Sequence, residues 1–276
     1  MGIVNVTPDS FYDGGKYNDP LSALNKALLH IEEGADIIDI GAESTRPGAM
    51  PVDSKQESKR LFPALELILS RKPDAAISVD TRSAHTASMA LDAGAAVIND
   101  ISACRHDPAM LDVIVHYKPG YILMHAGGEP RTMQSDPQYD DIVTEIASFF
   151  ETRLNYLVSA GVPEDRIILD PGIGFGKTVQ HNMALLEAAD TFAQFGRPLL
   201  VGISNKSFLG SLLGLQLHER QEATLKFTLS LAGRGYQWHR LHHIGSAALA
   251  LEHAGLISRH KIAHLLPKQS GEASQA

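Results

Sequence analysis

The chain has 276 residues, of which 44% are apolar and 20% are charged, and its formal net charge is −8 at pH 7. This length and composition suit one large soluble α/β domain, and so acidic a chain is poorly suited to grip a nucleic-acid backbone. The single cysteine, Cys104, excludes an internal disulfide and a cysteine-built zinc site. The sequence has no apolar run of about 18 residues and no signal-peptide pattern at its N-terminus, so we expect a cytoplasmic protein with no membrane partner.

Eight short apolar runs recur along the chain, and we interpret each of them as a β-strand. They lie at residues 3–6, 37–40, 76–79, 96–98, 121–124, 167–169, 199–202 and 238–241. The segments between them show helical periodicity, for example at residues 21–33, 55–69, 83–93, 108–116 and 142–160. Strands that alternate with helices indicate βαβ units and a parallel sheet. Eight such units predict a single α/β domain with the (β/α)₈ TIM-barrel fold.

Two nucleotide-binding patterns that would contradict this interpretation are incomplete. The first run leads into NVTPDS, which lacks the glycine fingerprint of a doubly wound dinucleotide-binding sheet. Gly176, Lys177 and Thr178 resemble the end of a P-loop, but Pro171 stands where that motif begins with glycine. No linker or shift in composition divides the chain, so we predict one domain over residues 1–266. The small, polar residues 267–276 are expected to form a disordered tail.

Capping residues mark the predicted starts of two helices. Ser83 precedes an alanine-rich helical run and is a good N-cap residue. Asp107 followed by Pro108 is typical of an N-cap with proline at the first helical position. We therefore expect one helix to begin just after Ser83 and another at Pro108.

A polar residue ends almost every predicted strand. These residues are Asn5, Asp39, Asp80, Asn99 with Asp100, His125, Asp170, the group Ser204, Asn205 and Lys206, and finally Arg240 with His242. In a closed barrel the strand ends converge on one mouth, where barrel enzymes place their active sites. Any single one of them is weak evidence, because an aspartate that ends a strand is often only a turn former or a helix cap. That explanation is as good as a functional one for Asp100 and weaker for Asp39, Asp80 and Asp170. Their recurrence at eight strands favours a functional site.

Two carboxylates and an amide stand among these strand ends. Asp80 and Asp170 are acceptors when ionised, and Asn99 has both a donor and an acceptor. Because a buried carboxylate accepts paired hydrogen bonds, these three residues are suited to a flat heterocycle with adjacent N–H donors and a carbonyl.

A few cationic side chains complete the predicted mouth. Arg46, Arg240 and His242 are suited to hold an anionic group such as phosphate. Asn5 is uncharged, and its amide oxygen is suited to help hold a magnesium ion that is already bound to phosphates. The remaining histidines show no compact metal-ligand pattern, so we do not expect a zinc site.

Seven segments, in order along the chain, resemble the conserved segments of the dihydropteroate synthases. The two most specific are NVTPDSF at residues 5–11 and DIGAESTRPG at residues 39–48. The others are SVDT at 78–81, IND at 98–100, LMH at 123–125, DPGIGFGK at 170–177 and GISNKSF at 202–208. Members of this family use a TIM barrel to join 4-aminobenzoate to 6-hydroxymethyl-7,8-dihydropterin diphosphate in folate biosynthesis, with release of pyrophosphate. The resemblance implies a transferase with these two small-molecule substrates, a Mg²⁺ cofactor and a homodimeric state.

The resemblance also implies roles for individual residues. The pterin would be bound by Asp80, Asn99, Asp170 and Lys206. The diphosphate would be held by Asn5, Arg46, Arg240 and His242, with Asn5 at the magnesium ion. The aminobenzoate pocket would be lined by Thr45, Pro47, Phe175 and Ser207. Asp39 and Met124 complete the expected substrate-binding set, and the expected catalytic residues are Asp80, Asp170, Lys206 and Arg240. Loops at residues 7–15 and 42–52 would close over the site and exclude water.

Two positions depart from the family pattern. Asn205 stands where the family usually has arginine, so one cation is missing, and His243 stands where it usually has aspartate. These departures leave open an inactive or specialised pterin-binding paralogue. A methyltransferase that uses a reduced-folate methyl donor would share the barrel and the pterin pocket, but it would not need the Thr45-Arg46-Pro47 or Lys206-Ser207 segments. We therefore expect an active synthase that diverges at its last two strands.

Overall fold

The computed structural model describes residues 1–7, 19–44, 52–129 and 131–257, and strands and helices alternate through this part of the chain. Its strands are β1 Gly2–Asn5, β2 Ile38–Gly41, β3 Ile77–Asp80, β4 Val97–Asp100, β5 Gly120–Met124, β6 Ile167–Asp170, β7 Leu200–Val201 and β8 Trp238–His239. Its α-helices are α1 Pro20–Glu32, α2 Ser54–Arg71, α3 Ala84–Asp92, α4 Met110–Tyr117, α5 Ile142–Ser159, α6 Val179–Glu187, α7 Ala189–Ala193, α8 Ser207–Leu213, α9 Arg220–Gly233 and α10 Gly245–His253. The predicted alternation of strands and helices is confirmed.

The strands form a closed parallel ring. Strands β1 to β6 pair in chain order, and β7 pairs with β8. Leu169 of β6 bridges to Leu199 just before β7, and Gly2 of β1 bridges to Leu241 just after β8, both in parallel. At the second seam the backbone N–H of Ile3 donates to the carbonyl of Leu241 at 3.0 Å. The fold is therefore the predicted single-domain (β/α)₈ barrel.

Alternation along the strands separates an inner layer of side chains from an outer one. Val97, Ile122, Ile168 and Leu200 form one buried cluster with Trp238 packed against it, at the amino-terminal end of the barrel interior. The residues between them in each strand point outward and join the main hydrophobic core beneath the helices. Because apolar residues fill the lower interior, the polar residues of the strands are left at the upper, carboxyl-terminal end.

The last two strands are shorter than predicted. The runs at 199–202 and 238–241 predict four residues each, but β7 and β8 have two residues each. The backbone N–H of Arg240 donates to the carbonyl of Val201 at 3.0 Å. Beyond this hydrogen bond the segments that follow β7 and β8 separate. The chain after β7 then turns sharply, since Asn205 has a left-handed φ of 58°. This early turn leaves Arg240 and Lys206 beyond the strands, at the barrel mouth.

The two predicted helix starts had different outcomes. The hydroxyl of Ser83 accepts from the backbone N–H of Thr86 at 3.3 Å, so the predicted N-cap of α3 is confirmed. The prediction for α4 was wrong by two residues, because this helix begins at Met110. The Asp107 carboxylate instead accepts from the backbone N–H groups of Ala109 at 3.1 Å and of Ala84 at 2.8 Å. It therefore holds a turn before α4 and also the first turn of α3.

Within the described ranges, no helix has the length and apolar character needed to cross a bilayer. The predicted boundary between the barrel and its tail, at residues 266 and 267, lies outside the described residues.

Candidate active site

A cavity of about 550 Å³ opens at the carboxyl ends of the strands, and we call it the mouth cavity. Loops after six different strands contribute to its wall, as expected for a barrel active site. Its lining residues are Asn5, Thr7, Glu43, Ser44, Asp80, Met133, Gly174, Phe175, Ser204, Asn205, Lys206, Ser207, Leu217, Arg220, Arg240 and His242. Seven of the residues predicted from the sequence are in this set: Asn5, Asp80, Phe175, Lys206, Ser207, Arg240 and His242.

Arg240 is the centre of a buried ionic network at the floor of the mouth cavity. Its Nε donates to Asp39 Oδ2 at 2.6 Å, and its Nη2 donates to Asp80 Oδ2 at 2.8 Å. Burial alone lowers the pKa of Arg240, but Asp39 and then Asp80 act in the opposite direction and raise it overall. The guanidinium group therefore stays charged and is fixed from two sides.

Asp39 lies beneath the mouth cavity and does not line it. Its side chain is completely buried, and besides Arg240 it accepts hydrogen bonds from Ser78 Oγ at 2.6 Å and Asn99 Nδ2 at 3.3 Å. Asn99 is 3% exposed and is likewise outside the lining set. In this conformation the two residues affect the cavity indirectly. Asp39 holds Arg240 in place, and Asn99 helps to hold Asp39.

Asp80 is the acidic member of the cavity floor. Burial raises the pKa of Asp80, the neighbouring Arg240 opposes that rise, and Asp39 adds to it. Asp80 Oδ2 is paired with Arg240, but a carboxylate can accept hydrogen bonds on both of its oxygens. Asp80 can therefore still accept a hydrogen bond from a ligand in the cavity.

Asp170, at the end of β6, is buried between two lysines. Its Oδ1 accepts from the backbone N–H of Gly172 at 2.7 Å. Burial raises the pKa of Asp170, whereas the ammonium group of Lys206, that backbone hydrogen bond and then Lys177 act to lower it. Asp170 is 6% exposed and stands just behind the lining set, so a ligand would meet mainly its second oxygen.

Lys206 packs against the loop that follows β6. Its Nζ lies 4.5 Å from the centre of the Phe175 ring and donates to the carbonyl oxygen of Ile173. Burial lowers the pKa of Lys206 to about 8, Asp170 opposes that fall, and Arg240 adds to it. The ammonium group is thus mostly charged at neutral pH, and cation–π contact with Phe175 fixes its position.

The wall near β8 and β1 carries the predicted anion and metal residues. His242 Nδ1 lies 2.9 Å from Ser204 Oγ, and the same hydroxyl accepts from the backbone N–H of His242 at 3.2 Å. Asn5 lines the cavity on the neighbouring strand. Among the described residues there is no group of three or more histidine, cysteine, aspartate or glutamate side chains that could hold a metal by themselves.

The other predicted residues divide into two groups. Met124 is 2% exposed and forms a small buried cluster with Ile101 and Ala126, against which Phe175 packs. Its side chain therefore supports the Phe175 ring from below. Thr45, Arg46 and Pro47 lie outside the described residues, as do most of the two loops predicted to close over the site.

The sequence did not reveal Arg220, a further cation of the mouth cavity. It is the first residue of α9, and its guanidinium donates to the backbone carbonyls of Asn205 at 3.1 Å and Leu215 at 3.4 Å rather than to a carboxylate. Gly210 makes room for it, because a Cβ atom there would press against the guanidinium group. No local pattern marks Arg220, since it reaches the cavity from the start of a helix and not from a strand end.

A second feature that the sequence did not reveal links two loops beside the cavity. Arg82, which follows β3, is paired with Glu43 at 2.9 Å and with Glu129 at 3.0 Å. Glu43 follows β2, and its carboxylate also accepts from the backbone N–H of Val52 at 3.3 Å. The Glu43 carboxylate therefore ties together the residues on either side of segment 45–51.

The two departures from the family pattern are neighbours in space. Asn205 and His243 both border a void of about 10 Å³ between the loop after β7 and the helices α9 and α10, and Thr224 and Thr228 complete one wall of it. Neither the Oδ1 nor the Nδ2 atom of Asn205 has a hydrogen-bond partner among the described residues. We therefore expect an arginine at position 205 and an aspartate at position 243 to lie beside the same void, close enough for their opposite charges to pair.

Reverting only one of these positions should therefore be costly. We expect Asn205→Arg to lower the free energy of unfolding by roughly 1–3 kcal/mol, because a buried guanidinium would face His243 without a carboxylate. The double variant Asn205→Arg/His243→Asp should recover most of that loss. Urea unfolding of both single variants and the double variant would give the coupling free energy. If Asn205→Arg alone keeps full stability and lowers the KM of the substrates, the side chain faces the mouth cavity instead.

Comparisons with known proteins agree with this arrangement. A family model described as "Pterin binding enzyme" matches residues 1–242. The dihydropteroate synthase of Escherichia coli strain K12 is 40% identical over 251 residues, which are 91% of this chain and 88% of that protein. The structure of Yersinia pestis dihydropteroate synthase with a sulfonamide drug superposes with a TM-score of 0.89 at 39% identity, covering 92% of each chain. The Xanthomonas albilineans enzyme, solved with 4-aminobenzoic acid, gives a TM-score of 0.85 at 37% identity, covering 92% of this chain and 91% of the other.

Proposed function

The chain belongs to the dihydropteroate synthase family, and we propose that it joins 4-aminobenzoate to 6-hydroxymethyl-7,8-dihydropterin diphosphate in folate biosynthesis. The observation that carries this proposal is one cavity that combines acidic and cationic side chains. Asp80 is at its floor beside Arg240, and Asp170 stands just behind its lining. Its walls carry Lys206, Arg220 and the imidazole of His242. Such a site suits a substrate with a hydrogen-bond-donating ring and an anionic arm.

In the proposed reaction the bond between the pterin methylene carbon and the diphosphate oxygen breaks, and its electron pair leaves with pyrophosphate. The carbon that remains is electron-poor and conjugated with the pterin ring. Asp80 and Asp170 accept hydrogen bonds from ring N–H groups, and their negative charge stabilises the positive charge that develops there. Arg240, already fixed by Asp39 and Asp80, needs no reorganisation to stabilise the departing anion.

The amine nitrogen of 4-aminobenzoate then forms a bond to the methylene carbon and releases a proton to solvent. This amine is neutral and nucleophilic, so the site needs no strong general base. Phe175 and Ser207 line the side of the cavity where we place the aminobenzoate ring. Arg220 lines the same cavity and, among the described residues, its hydrogen bonds go to backbone carbonyls and not to a carboxylate, so it is suited to face the aminobenzoate carboxylate. Thr45, Arg46 and Pro47 stay part of this proposal, as the family resemblance implies.

The decisive test is a pyrophosphate-release assay with both substrates and magnesium. We expect turnover that requires the pterin diphosphate and 4-aminobenzoate together. Lys226→Met, on the exposed part of α9 and paired with Glu222 at 2.7 Å, is a control that should behave like the unaltered enzyme. If the protein binds a pterin tightly but releases no pyrophosphate, it is a binding-only paralogue and the proposed activity is wrong.

The residues present fit a magnesium ion that arrives with the diphosphate. Magnesium is commonly held by one or two protein oxygens together with substrate phosphates and water. Asn5 offers one such amide oxygen on the wall beside His242. When bound there, the ion would neutralise charge on the leaving group.

We therefore expect activity to be lost on chelation with EDTA and restored by added magnesium. Asn5→Ala should raise the magnesium concentration needed for half-maximal activity by at least about tenfold, since loss of even an indirect partner of a metal typically costs that much affinity. Binding of a pterin without phosphates, measured by calorimetry, should be unchanged in this variant. An unchanged magnesium requirement would remove Asn5 from the metal site.

The family resemblance also supports a homodimeric, cytoplasmic enzyme. Leu212 and Leu213 at the end of α8 and Leu249 on α10 are exposed large apolar residues, which suit a subunit contact. Sedimentation equilibrium on the purified chain would test this, and a monomer at micromolar concentration would contradict it.

A further inference from the structure

Lys177 is a second buried lysine of the active-site region, and the proposed mechanism does not use it. It ends the loop after β6, is 3% exposed and is outside the lining set of the mouth cavity. Its Nζ lies 3.0 Å from His125 Nδ1, 3.0 Å from the carbonyl oxygen of Phe175 and 3.3 Å from the carbonyl oxygen of His125. A protonated ammonium group has three N–H donors, and here three acceptors stand around it.

His125 is in the state that such a donor needs. Burial, then the charges of Lys177 and Arg105, lower the pKa of His125 to about 2, so its ring is neutral. The ring packs edge-on against Phe149, with centres 4.8 Å apart, which fixes its plane. Nδ1 can therefore present its lone pair to the charged Lys177 ammonium.

The loop between Gly172 and Gly176 is pressed against the chain that follows β5. A Cβ atom on Gly172 would overlap the carbonyl oxygen of His125, and one on Gly176 would lie 2.8 Å from the Cα atom of Gly127. The backbone N–H of Gly127 donates to the carbonyl of Phe175 at 3.2 Å. Lys177 therefore adds its ammonium group at the point where these two segments touch.

The opposite side of the same loop faces substrate. Phe175 lines the mouth cavity, and its ring carries Lys206 at 4.5 Å. Lys206 also donates to the carbonyl of Ile173. The loop thus lies between two lysines, of which only Lys206 reaches the cavity.

We propose that Lys177 is a positioning residue, whose ammonium group fixes the loop that carries Phe175 and so shapes the aminobenzoate side of the mouth cavity. This inference rests on the proposed synthase activity, because the effect is exerted on the second substrate. Lys177 does not touch substrate, and it acts through Phe175. Loss of the ammonium group should loosen the loop without detaching it, because Gln134 Nε2 still donates to the carbonyl of Gly174 at 2.8 Å.

The charges around Lys177 make this effect depend on pH. Burial lowers the pKa of Lys177 to about 7, Asp170 at the end of β6 opposes that fall, and Lys206 after β7 and Arg105 after β4 add to it. His125 after β5 faces it as a neutral ring. Lys177 is therefore charged below about pH 7 and loses one N–H donor as pH rises through that value. The loop that carries Phe175 should therefore be held less firmly as the pH rises through about 7.

The test compares Lys177→Met with the unaltered enzyme, with Lys226→Met as the control. Methionine keeps much of the length and volume of lysine but cannot donate. At pH 6.5 we expect the KM for 4-aminobenzoate to rise about tenfold in Lys177→Met, as expected for loss of charge-assisted hydrogen bonds. The KM for the pterin diphosphate should change less than about threefold, because Asp80 and Asp170 remain.

The pH profile separates positioning from a general loss of stability. In the unaltered enzyme the KM for 4-aminobenzoate should rise as the pH passes about 7, whereas in Lys177→Met it should already be high at pH 6 and should lack that rise. Lys206, whose pKa is about 8, titrates in both proteins, so a change near pH 8 that appears in both profiles belongs to Lys206 and not to Lys177. A purely structural lysine would lower the active fraction without changing the shape of the profile.

The possible failures can be told apart. If the unaltered enzyme releases no pyrophosphate, the proposed function is wrong and this inference falls with it. If it turns over but Lys177→Met keeps the same KM and the same pH profile, the inference alone is wrong. If the variant does not fold, the unaltered enzyme still decides the matter, because a flat profile there would overturn the role of Lys177.

Discussion

Replacing Arg240 by methionine should both destabilise the barrel and abolish turnover. The substitution would leave Asp39 and Asp80 as buried carboxylates without their cation, and breaking a buried pair in this way typically costs about 3–5 kcal/mol. It would also remove a fixed positive charge from the cavity floor, which we expect to lower kcat by about 10³-fold. Urea unfolding and pyrophosphate release would measure the two effects separately.

A second substitution in the same network distinguishes its two roles. Arg240→Met leaves the charge of Asp39 unpaired at the base of the site, and Asp39→Asn removes that charge. The amide oxygen of the asparagine can still accept the hydrogen bond that Ser78 donates to Asp39 at 2.6 Å. The double variant Arg240→Met/Asp39→Asn should therefore regain much of the lost stability but none of the lost activity. Recovery of turnover together with stability would show that Arg240 serves the fold alone.

Asp170→Asn should have the converse pattern, with a large loss of activity and little loss of stability. An amide oxygen can still accept the hydrogen bond from Gly172 that Asp170 Oδ1 now accepts at 2.7 Å. The negative charge and the second acceptor would be lost, and an N–H₂ donor would face the donors of the pterin ring. We expect kcat/KM for the pterin diphosphate to fall by about 10³-fold, since sites built around a specific hydrogen bond discriminate strongly.

The direction in which the pKa of Asp170 is shifted predicts how Asp170→Asn changes the stability of the fold at a given pH. Burial raises it above its ordinary value, so the folded state holds this proton more tightly than the unfolded chain does. The stability associated with that shift is present at acid pH and is lost as pH rises through the raised value. Near pH 8 the amide should therefore be tolerated, with a change within about 1 kcal/mol.

Asp100 supplies the control for Asp170, since it ends β4 as Asp170 ends β6 and is also buried. Its carboxylate accepts from the backbone N–H groups of Ser102 and Cys104, both at 2.7 Å, and from the hydroxyl of Tyr121 at 2.9 Å. Asp100→Asn should lower stability by roughly 1–3 kcal/mol and spare kcat. If the two aspartates show the same balance of activity and stability loss, the proposed division between them is wrong.

The pair Asp100 and Asp170 also shows how far the sequence alone could lead. Strand periodicity predicted the barrel and its mouth, because inward and outward side chains alternate regularly and strand ends converge. It favoured Asp100 over Asp170 as a turn former but could not separate the two roles, since both residues end a strand. That difference lies in the hydrogen bonds of the loop that follows, which tertiary structure sets.

Asp39 and Arg220 are two residues whose place in the site could not be predicted from the sequence. The resemblance to the family implied that Asp39 binds substrate, and the structure places it one layer deeper, under Arg240, which is 201 residues away along the chain. No local pattern reveals a pairing over that separation. Arg220 could not be found either, because a cation at a helix start has no distinguishing neighbours until α8 and α9 are packed together.

The long separation within the Arg240 network has a consequence for how the enzyme is made. Its two carboxylates belong to β2 and β3, and their cation directly follows the last strand, 201 and 160 residues later. During synthesis the first strands leave the ribosome long before Arg240 does, and until then both acids lack the group that neutralises them. Contacts so distant in sequence form late in folding, because the loop they close is long. We therefore expect no activity until the ring of strands is complete. A chain whose synthesis stops before β8 lacks Arg240 and should be inactive.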